Sequence, residues 1–156
     1  MERKSSFGEI AANSLWTGAV ATAATTATAA ICGRIENRSA LAPINAVSHI
    51  VWGDRAARHS ESSVKYTVPG LLLNAAAVTS WAAVQELLFG RRKRRSVGAA
   101  VAEGAAVSAL AYVTDYHAVP DRLTPGFEKR LSNKSLATIY GVLALSLGVG
   151  ALMRRR

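Results

Sequence analysis

The amino-acid sequence predicts an all-α integral membrane protein, a four-helix bundle with a short interfacial helix in the first outer loop. Three observations lead to this fold class: four long apolar segments, a run of five cations between the second and third of them, and small residues that recur at helical spacing. Each segment is long enough to cross about 30 Å of hydrocarbon as a helix. The predicted spans are about 10–32, 69–90, 97–119 and 135–153, in a single membrane domain covering residues 1–156.

The first span, 10–32, carries no charged side chain. Its small and hydroxyl residues fall along one line of a helix, where they let another helix backbone approach closely. The members of this stripe are Ser14, Gly18, Ala21, Thr25, Thr28 and Cys32. A cleaved signal peptide is the competing interpretation, since Arg3 and Lys4 precede the segment and Ala-Thr-Ala at 27–29 resembles a cleavage site. The stripe favours a retained helix, because a cleaved signal has no use for a packing surface.

The first outer loop contains a segment, 43–57, that is too short and too polar to span a membrane. Its apolar residues recur at helical spacing, and Trp52 has the amphipathic ring that lies at the level of lipid headgroups. We therefore predict a short helix that either lies on the membrane or caps the bundle.

The second span begins at Pro69 and ends at Gly90, residues that are typical of helix starts and ends. Asn74 and Gln85 lie on one helical face with Trp81, and this polar stripe is expected to point into the bundle. Glu86 lies close to the predicted cytoplasmic end, within reach of the cations beyond the helix.

The third and fourth spans each carry a further line of small residues, and these lines predict close helix packing. They are Gly98, Ala102, Ala105 and Ala109 in the third span and Ala137, Gly141, Ala144, Gly148 and Ala151 in the fourth. Three of the four spans thus carry such a line, which predicts a compact bundle. It also predicts a partner within the bilayer, either further copies of the chain in a homo-oligomer or another membrane protein.

The nineteen Lys and Arg residues are distributed unevenly. Ten of them lie at the two termini and in the run joining the second and third spans, Arg91, Arg92, Lys93, Arg94 and Arg95. Short cytoplasmic segments are rich in Lys and Arg, so both termini are predicted to lie in the cytoplasm. The same run can hold anionic lipid headgroups. Nucleic acid is not an expected partner despite the net charge of +9, because the cations do not share one soluble face.

Three short stretches carry a resemblance to known proteins. They are Ile-Asn-Ala-Val-Ser-His-Ile-Val-Trp-Gly-Asp at 44–54, Tyr-Thr-Val-Pro-Gly at 66–70 and Arg-Leu-Thr-Pro-Gly-Phe-Glu at 122–128. They resemble segments of small, uncharacterised multi-pass proteins of the bacterial inner membrane. The resemblance covers about a third of the chain and implies that location, but no activity. It also implies that histidines can occur near the start of the second span; Asn74 and Ala75 stand there, which counts against a histidine-ligated cofactor.

The outer loops bring several potential metal ligands to one membrane face. Neutral imidazole and carboxylate are common metal ligands, so these residues are weak candidates for a metal or haem site. They are His49, Asp54, His59, Asp115 and His117. The structural alternative is that His49 packs in the short helix, Asp54 pairs within its loop and His117 lies among headgroups. The single cysteine, Cys32, excludes an intrachain disulfide.

Glu103 lies about two turns inside the third span, and an ionisable residue at that depth is a candidate functional site. Proton or cation handling along Glu103, Thr114 and His117 is one hypothesis. The simpler alternative is that Glu103 reaches water or the nearby arginines. The sequence shows no nucleophile motif or phosphate loop.

Three interpretations of function follow. The leading one is a non-enzymatic structural, accessory or lipid-organising membrane protein with no expected cofactor. Proton or cation handling is the alternative, and a redox accessory role with bound metal or haem is the third.

Overall fold

The computed structural model describes residues 6–90 and 96–153, and every regular element among them is helical. The predicted all-α class is confirmed for this part of the chain. The six α-helices are α1 (Phe7–Asn37), α2 (Ala42–Val47), α3 (His49–Trp52), α4 (Thr67–Phe89), α5 (Val97–Val113) and α6 (Asn133–Met153). Short 3₁₀ turns lie at Asp54–Arg58, Asp121–Leu123 and Phe127–Lys129, and α5 continues into a π-helical turn at Thr114–Ala118. The pentabasic run and both charged termini lie outside the described residues.

Four helices are long and apolar enough to cross a membrane: Phe7–Asn37, Thr67–Phe89, Val97–Ala118 and Asn133–Met153. They coincide with the four predicted spans, but α1 is longer at both ends. Ser6 begins it with a capping box, in which the Ser6 hydroxyl accepts from the Glu9 amide and the Glu9 carboxylate accepts from the Ser6 amide. Arg38 ends it in the left-handed conformation, with φ of 58°.

The four long helices pack in a definite order. α1 lies against both α4 and α6, and α6 also lies against α5, whereas α4 and α5 touch less extensively. The stripe predicted on α1 is confirmed as a packing surface: a Cβ at Gly18 would lie 2.6 Å from the Thr79 hydroxyl of α4. On the α6 side, a Cβ at Gly150 would lie 2.9 Å from the Thr17 methyl group. These close approaches require residues without side chains.

The stripe predicted on α5 is wrong as a packing surface within one chain. Gly98, Ala102, Ala105 and Ala109 are all exposed. The α5 residues that pack against α6 are instead Ala100 and Gly104: a Cβ at Gly104 would lie 2.1 Å from the Ala144 carbonyl oxygen, and one at Gly148 would lie 2.9 Å from that of Ala100. α5 carries small residues on two opposite faces, so spacing alone could not choose between them.

The stripe predicted on α6 is correct only in its second half. Gly148 and Ala151 are buried, whereas Ala137 and Gly141 are exposed. Apart from its two chain neighbours and the surrounding backbone of α6, no described heavy atom lies within 4 Å of a Cβ placed at Gly141, so this position has no packing role in the monomer.

The first loop folds over the end of the bundle. α2 is buried along its whole length and docks on two glycines, since a Cβ at Gly33 would meet the Pro43 ring and one at Gly70 would meet the Ile44 carbonyl oxygen. Of the two placements predicted for the short helix, the structure has the capping one. Its continuation into α3 and a 3₁₀ turn divides the predicted segment into three pieces.

Candidate functional site

Two loops form a single packed unit at the end of the bundle where α1 ends and α4 begins. We call residues 38–66 and 119–132 the outer cap, after the predicted outer loops that they contain. Gly126 lies at their contact with φ of +87°, and a Cβ there would lie 2.6 Å from the Ala46 carbonyl oxygen and 2.7 Å from His49 Nδ1. Phe127 follows it, 4 % exposed, in a cluster with Val47 and four other buried apolar residues. The close approach at Gly126 and the burial of Phe127 therefore hold the second loop against the first.

Arg130 connects the two loops of the outer cap to the end of α1. Its guanidinium donates to Asn37 Oδ1 (3.0 Å), the Ala57 carbonyl (2.8 Å) and the Ser60 hydroxyl (3.0 Å). Asn37 in turn donates to the Arg130 carbonyl (2.7 Å), which ties the end of α1 to both loops. Hydrogen bonds from a charged donor are stronger than neutral ones, so this residue holds three segments together.

Charged side chains form hydrogen bonds at two helix ends beside the outer cap. Arg122 donates to the Ile50 and Val51 carbonyls (2.9 and 3.1 Å), placing a cation at the end of α3. Glu36 accepts from the Ser132 amide (2.8 Å) and from the Ser135 hydroxyl, which places a carboxylate at the start of α6. Arg122, Arg130 and Glu36 were not among the residues predicted to form a site. Their partners lie 70 to 99 positions away, and no local motif marks them.

Two exposed carboxyl groups of the outer cap have a lowered pKa. The Lys129 ammonium, 2.8 Å from Asp54, lowers the pKa of that carboxyl, and the His59 ring lowers the pKa of Glu61 by hydrogen bonding. Because the pKa of each carboxyl group is lower in the folded chain, its interaction stabilises the fold at pH values above the ordinary carboxyl pKa. This stabilisation is lost as the pH falls through the lowered pKa.

The three histidines occupy different environments. His49 is 1 % exposed, with Nδ1 3.0 Å from the Ala46 carbonyl oxygen and Nε2 3.3 Å from that of Asp121. His59 stacks on Tyr66 with ring centres 4.2 Å apart and contacts Glu61. His117 is exposed and meets the edge of Tyr112. His49 therefore joins the two loops.

The proposed metal ligands are engaged separately. Asp54 pairs with Lys129, and Asp115 accepts a hydrogen bond from the Tyr140 hydroxyl (2.6 Å). Among residues 6–90 and 96–153, no three His, Cys, Asp or Glu side chains lie close enough together to hold a metal ion. The metal and haem hypothesis gains no support from this part of the chain. Tyr140, which also packs on Tyr112 and Tyr116, is a polar residue that the sequence analysis did not single out.

The predicted intramembrane polar residues lie mostly at the opposite end of the bundle. Gln85, Glu86 and Glu103 are buried, at 2 %, 6 % and 4 % exposure, and Glu86 accepts from Asn13 Nδ2 (2.8 Å). Gln85 and Glu86 lie one turn beyond Ala82 in α4, and Glu103 lies one turn before Val107 in α5, while Ala82 and Val107 belong to the same core cluster. Asn74 is half-buried nearer the outer cap and donates to the Thr26 hydroxyl (3.0 Å).

An apolar layer separates these buried acids from the polar groups of the outer cap. It consists of Ala21, Val78, Ala82, Val107, Ala111, Leu143 and Leu147, with Trp81 packed against it. Glu103 and His117 lie about 21 Å apart along their helix and belong to opposite ends of the bundle. The two residues that the sequence analysis combined in one proton path are therefore not brought together.

Comparisons of the chain with protein-family models, curated proteins and solved structures find no match. The resemblance to small bacterial inner-membrane proteins stays a prediction.

Proposed function

We propose that the chain is a non-enzymatic, multi-pass protein of the bacterial inner membrane, with both termini in the cytoplasm, that acts as a structural or accessory component and associates with a second copy of itself through α5. The observation that carries this proposal is the outward-facing small-residue stripe of α5. The resemblance in the loop segments and the distribution of Lys and Arg support the membrane and the orientation.

The exposed face of α5 has the shape of a helix-packing surface. Gly98, Ala102, Ala105 and Ala109 lie on the side opposite the residues that pack on α6. A line without large side chains leaves a shallow groove, with Val101 and Val113, 39 % and 52 % exposed, at its edges. In lipid, helices associate through such surfaces because backbones can approach closely there.

The interior of the bundle favours a structural role over proton or cation handling. The apolar layer lies between Glu103 and the polar groups of the outer cap, and α6 approaches both α1 and α5 at backbone distance. Transport through such a layer would require the helices to separate. The buried acids near the opposite end are explained more simply as structural groups, since Glu86 accepts a hydrogen bond from Asn13 that joins α4 to α1.

Association through α5 is tested by replacing small residues in its groove. Ala105→Ile and Ala109→Ile, made together, are expected to weaken self-association in vesicles at least about 10-fold, since bulky side chains keep the helices apart. The measurement is energy transfer between two populations of labelled protein as the ratio of protein to lipid is varied. Leu110→Ile, on a different exposed face of α5, is the matched control and is expected to leave the association unchanged. A wild-type chain that stays monomeric, or a double variant that associates normally, contradicts the proposal.

The orientation is tested by the charges that predict it. Replacing Arg91, Arg92, Lys93, Arg94 and Arg95 by Gln is expected to produce a mixed or inverted topology, because the run makes up half of the ten cations assigned to the cytoplasmic side. Reporter enzymes fused to the C-terminus, one active only in the cytoplasm and one only outside it, measure the outcome. The control replaces five cations of the outer loops. An unchanged orientation in the first variant counts against the assignment.

A further inference from the structure

We propose that Trp52, Val64, Lys65 and the start of α4 form a lipid anchor that sits in the outer headgroup layer and binds phospholipid phosphate through Lys65. This proposal rests on membrane insertion as given under the proposed function, but not on association through α5.

The exposed apolar face of α4 continues beyond the start of the helix. The Thr67 amide donates to the Ser63 carbonyl (2.7 Å), so the chain is wound helically one turn before α4 begins. Val64, Val68 and Leu72 follow one another at intervals of four residues and therefore lie on one line. They are 84 %, 45 % and 65 % exposed. The surface that α4 offers to hydrocarbon thus reaches Val64 in the loop.

Aromatic and cationic groups lie at the upper end of this line. The Trp52 indole N–H donates to the Lys65 carbonyl (2.8 Å), which fixes the ring beside the start of α4. The Lys65 ammonium lies 5.1 Å from the centre of the Trp52 ring and 5.4 Å from that of Tyr66. A cation over aromatic faces keeps three donors free for an anion.

Taken together, these contacts match the chemistry of a membrane interface. Trp is enriched at headgroup depth because its ring is apolar and its N–H is polar, and Lys keeps its stem in apolar surroundings while its ammonium reaches the polar layer. Val51, 48 % exposed next to Trp52, widens the apolar side of the anchor. A phosphate of the headgroup layer is the anion that lies at this depth.

Depth-dependent quenching of Trp52 is the test. The chain with Trp16→Phe and Trp81→Phe, reconstituted in phospholipid vesicles, is expected to show stronger quenching of Trp52 by lipids brominated near the headgroup than by lipids brominated at the chain ends. Strong quenching by iodide in water, with none by brominated lipid, overturns the proposal. The companion chain with Trp16 as the sole tryptophan reports insertion of α1, since Trp16 is 47 % exposed on that helix. Lipid quenching of Trp16 but not of Trp52 contradicts the anchor alone, whereas quenching of neither contradicts membrane insertion itself.

The role of Lys65 is tested by lipid preference. A lysine near a membrane surface contributes about 1 kcal/mol of attraction to anionic lipid, so the lipid site beside Trp52 is expected to prefer anionic over zwitterionic lipid about five-fold. The preference is measured by comparing the quenching of Trp52 by brominated anionic lipid with its quenching by brominated zwitterionic lipid. In Lys65→Gln this preference is expected to vanish. Equal quenching by the two lipids in the wild type, or a preference that survives the substitution, overturns the assignment of Lys65.

A second measurement does not depend on the tryptophan replacements. In a Cys32→Ala chain, Val64→Cys in vesicles is expected to react with a membrane-impermeant maleimide about 10-fold more slowly than Ser62→Cys, which is also exposed but lies off the apolar line. Equal labelling rates overturn the proposal, since a side chain at position 64 that lies in lipid cannot react as fast as one in water.

Discussion

Gly104→Ala is expected to lower the free energy of unfolding in detergent micelles by about 1–3 kcal/mol, through forced separation of α5 from α6. The added Cβ would lie 2.1 Å from the Ala144 carbonyl oxygen, which is backbone and cannot rotate away. The penalty outweighs the gain of about 1 kcal/mol that alanine normally brings to a helix. Gly104→Leu is expected to disrupt the helix pair altogether. The measurement is the midpoint of unfolding as a denaturing detergent replaces a mild one.

Gly141→Ala is the matched control for this substitution. Gly141 lies on α6 with open space around its Cβ position among the described residues, so the same chemical change is expected to leave stability unchanged or raise it by about 1 kcal/mol. The opposite signs of the two substitutions distinguish close packing from helix propensity. Equal effects at the two positions would show that α5 and α6 do not approach as closely as described.

The spans could be predicted from the sequence because hydropathy and length are local properties. α1 and α5 each carry small residues on two opposite faces, so spacing alone could not decide which face packs. On α1 the predicted line is the packing face, and the line on the other side, Ala12, Ala19, Ala23 and Ala27, is exposed. On α5 the predicted line is the exposed one. Nothing in the spacing of Gly98 and Gly104 shows which of them meets a neighbour. That choice depends on α6, which enters the sequence about 30 residues later.

The outer cap was the least predictable part. The loop histidines and acids were visible as residue types, and the alternative of a packed His49 agrees with its burial and with its two carbonyl neighbours. The residues that organise the cap were not visible. Arg130 lies in an ordinary mixed-charge loop, and its partner Ala57 is 73 positions away. Such partners follow from the fold and not from any local pattern.

Arg130→Lys is expected to loosen the outer cap while leaving the spans in place. Lysine keeps the charge but lacks the planar fork that donates to Asn37, Ala57 and Ser60 together. Losing two of three charge-assisted hydrogen bonds is expected to cost about 2–4 kcal/mol of cap stability. Hydrogen exchange of the backbone amides in 42–66, followed by mass spectrometry of peptides, measures this loss as faster exchange. Amides of α4 and α6 are expected to keep their protection.

Arg58→Lys is the matched control for the cap experiment, since Arg58 is exposed and ends the 3₁₀ turn that contains Ala57. Its exchange pattern is expected to equal that of the wild type. Unchanged protection in Arg130→Lys would mean that Gly126 and Phe127, which lock the second loop by close approach and burial, hold the cap without the guanidinium. Faster exchange in Arg130→Lys but not in Arg58→Lys would instead identify Arg130 as the residue that joins the end of α1 to both loops, and would explain how loops built of short helical turns can present a fixed surface at the end of the bundle.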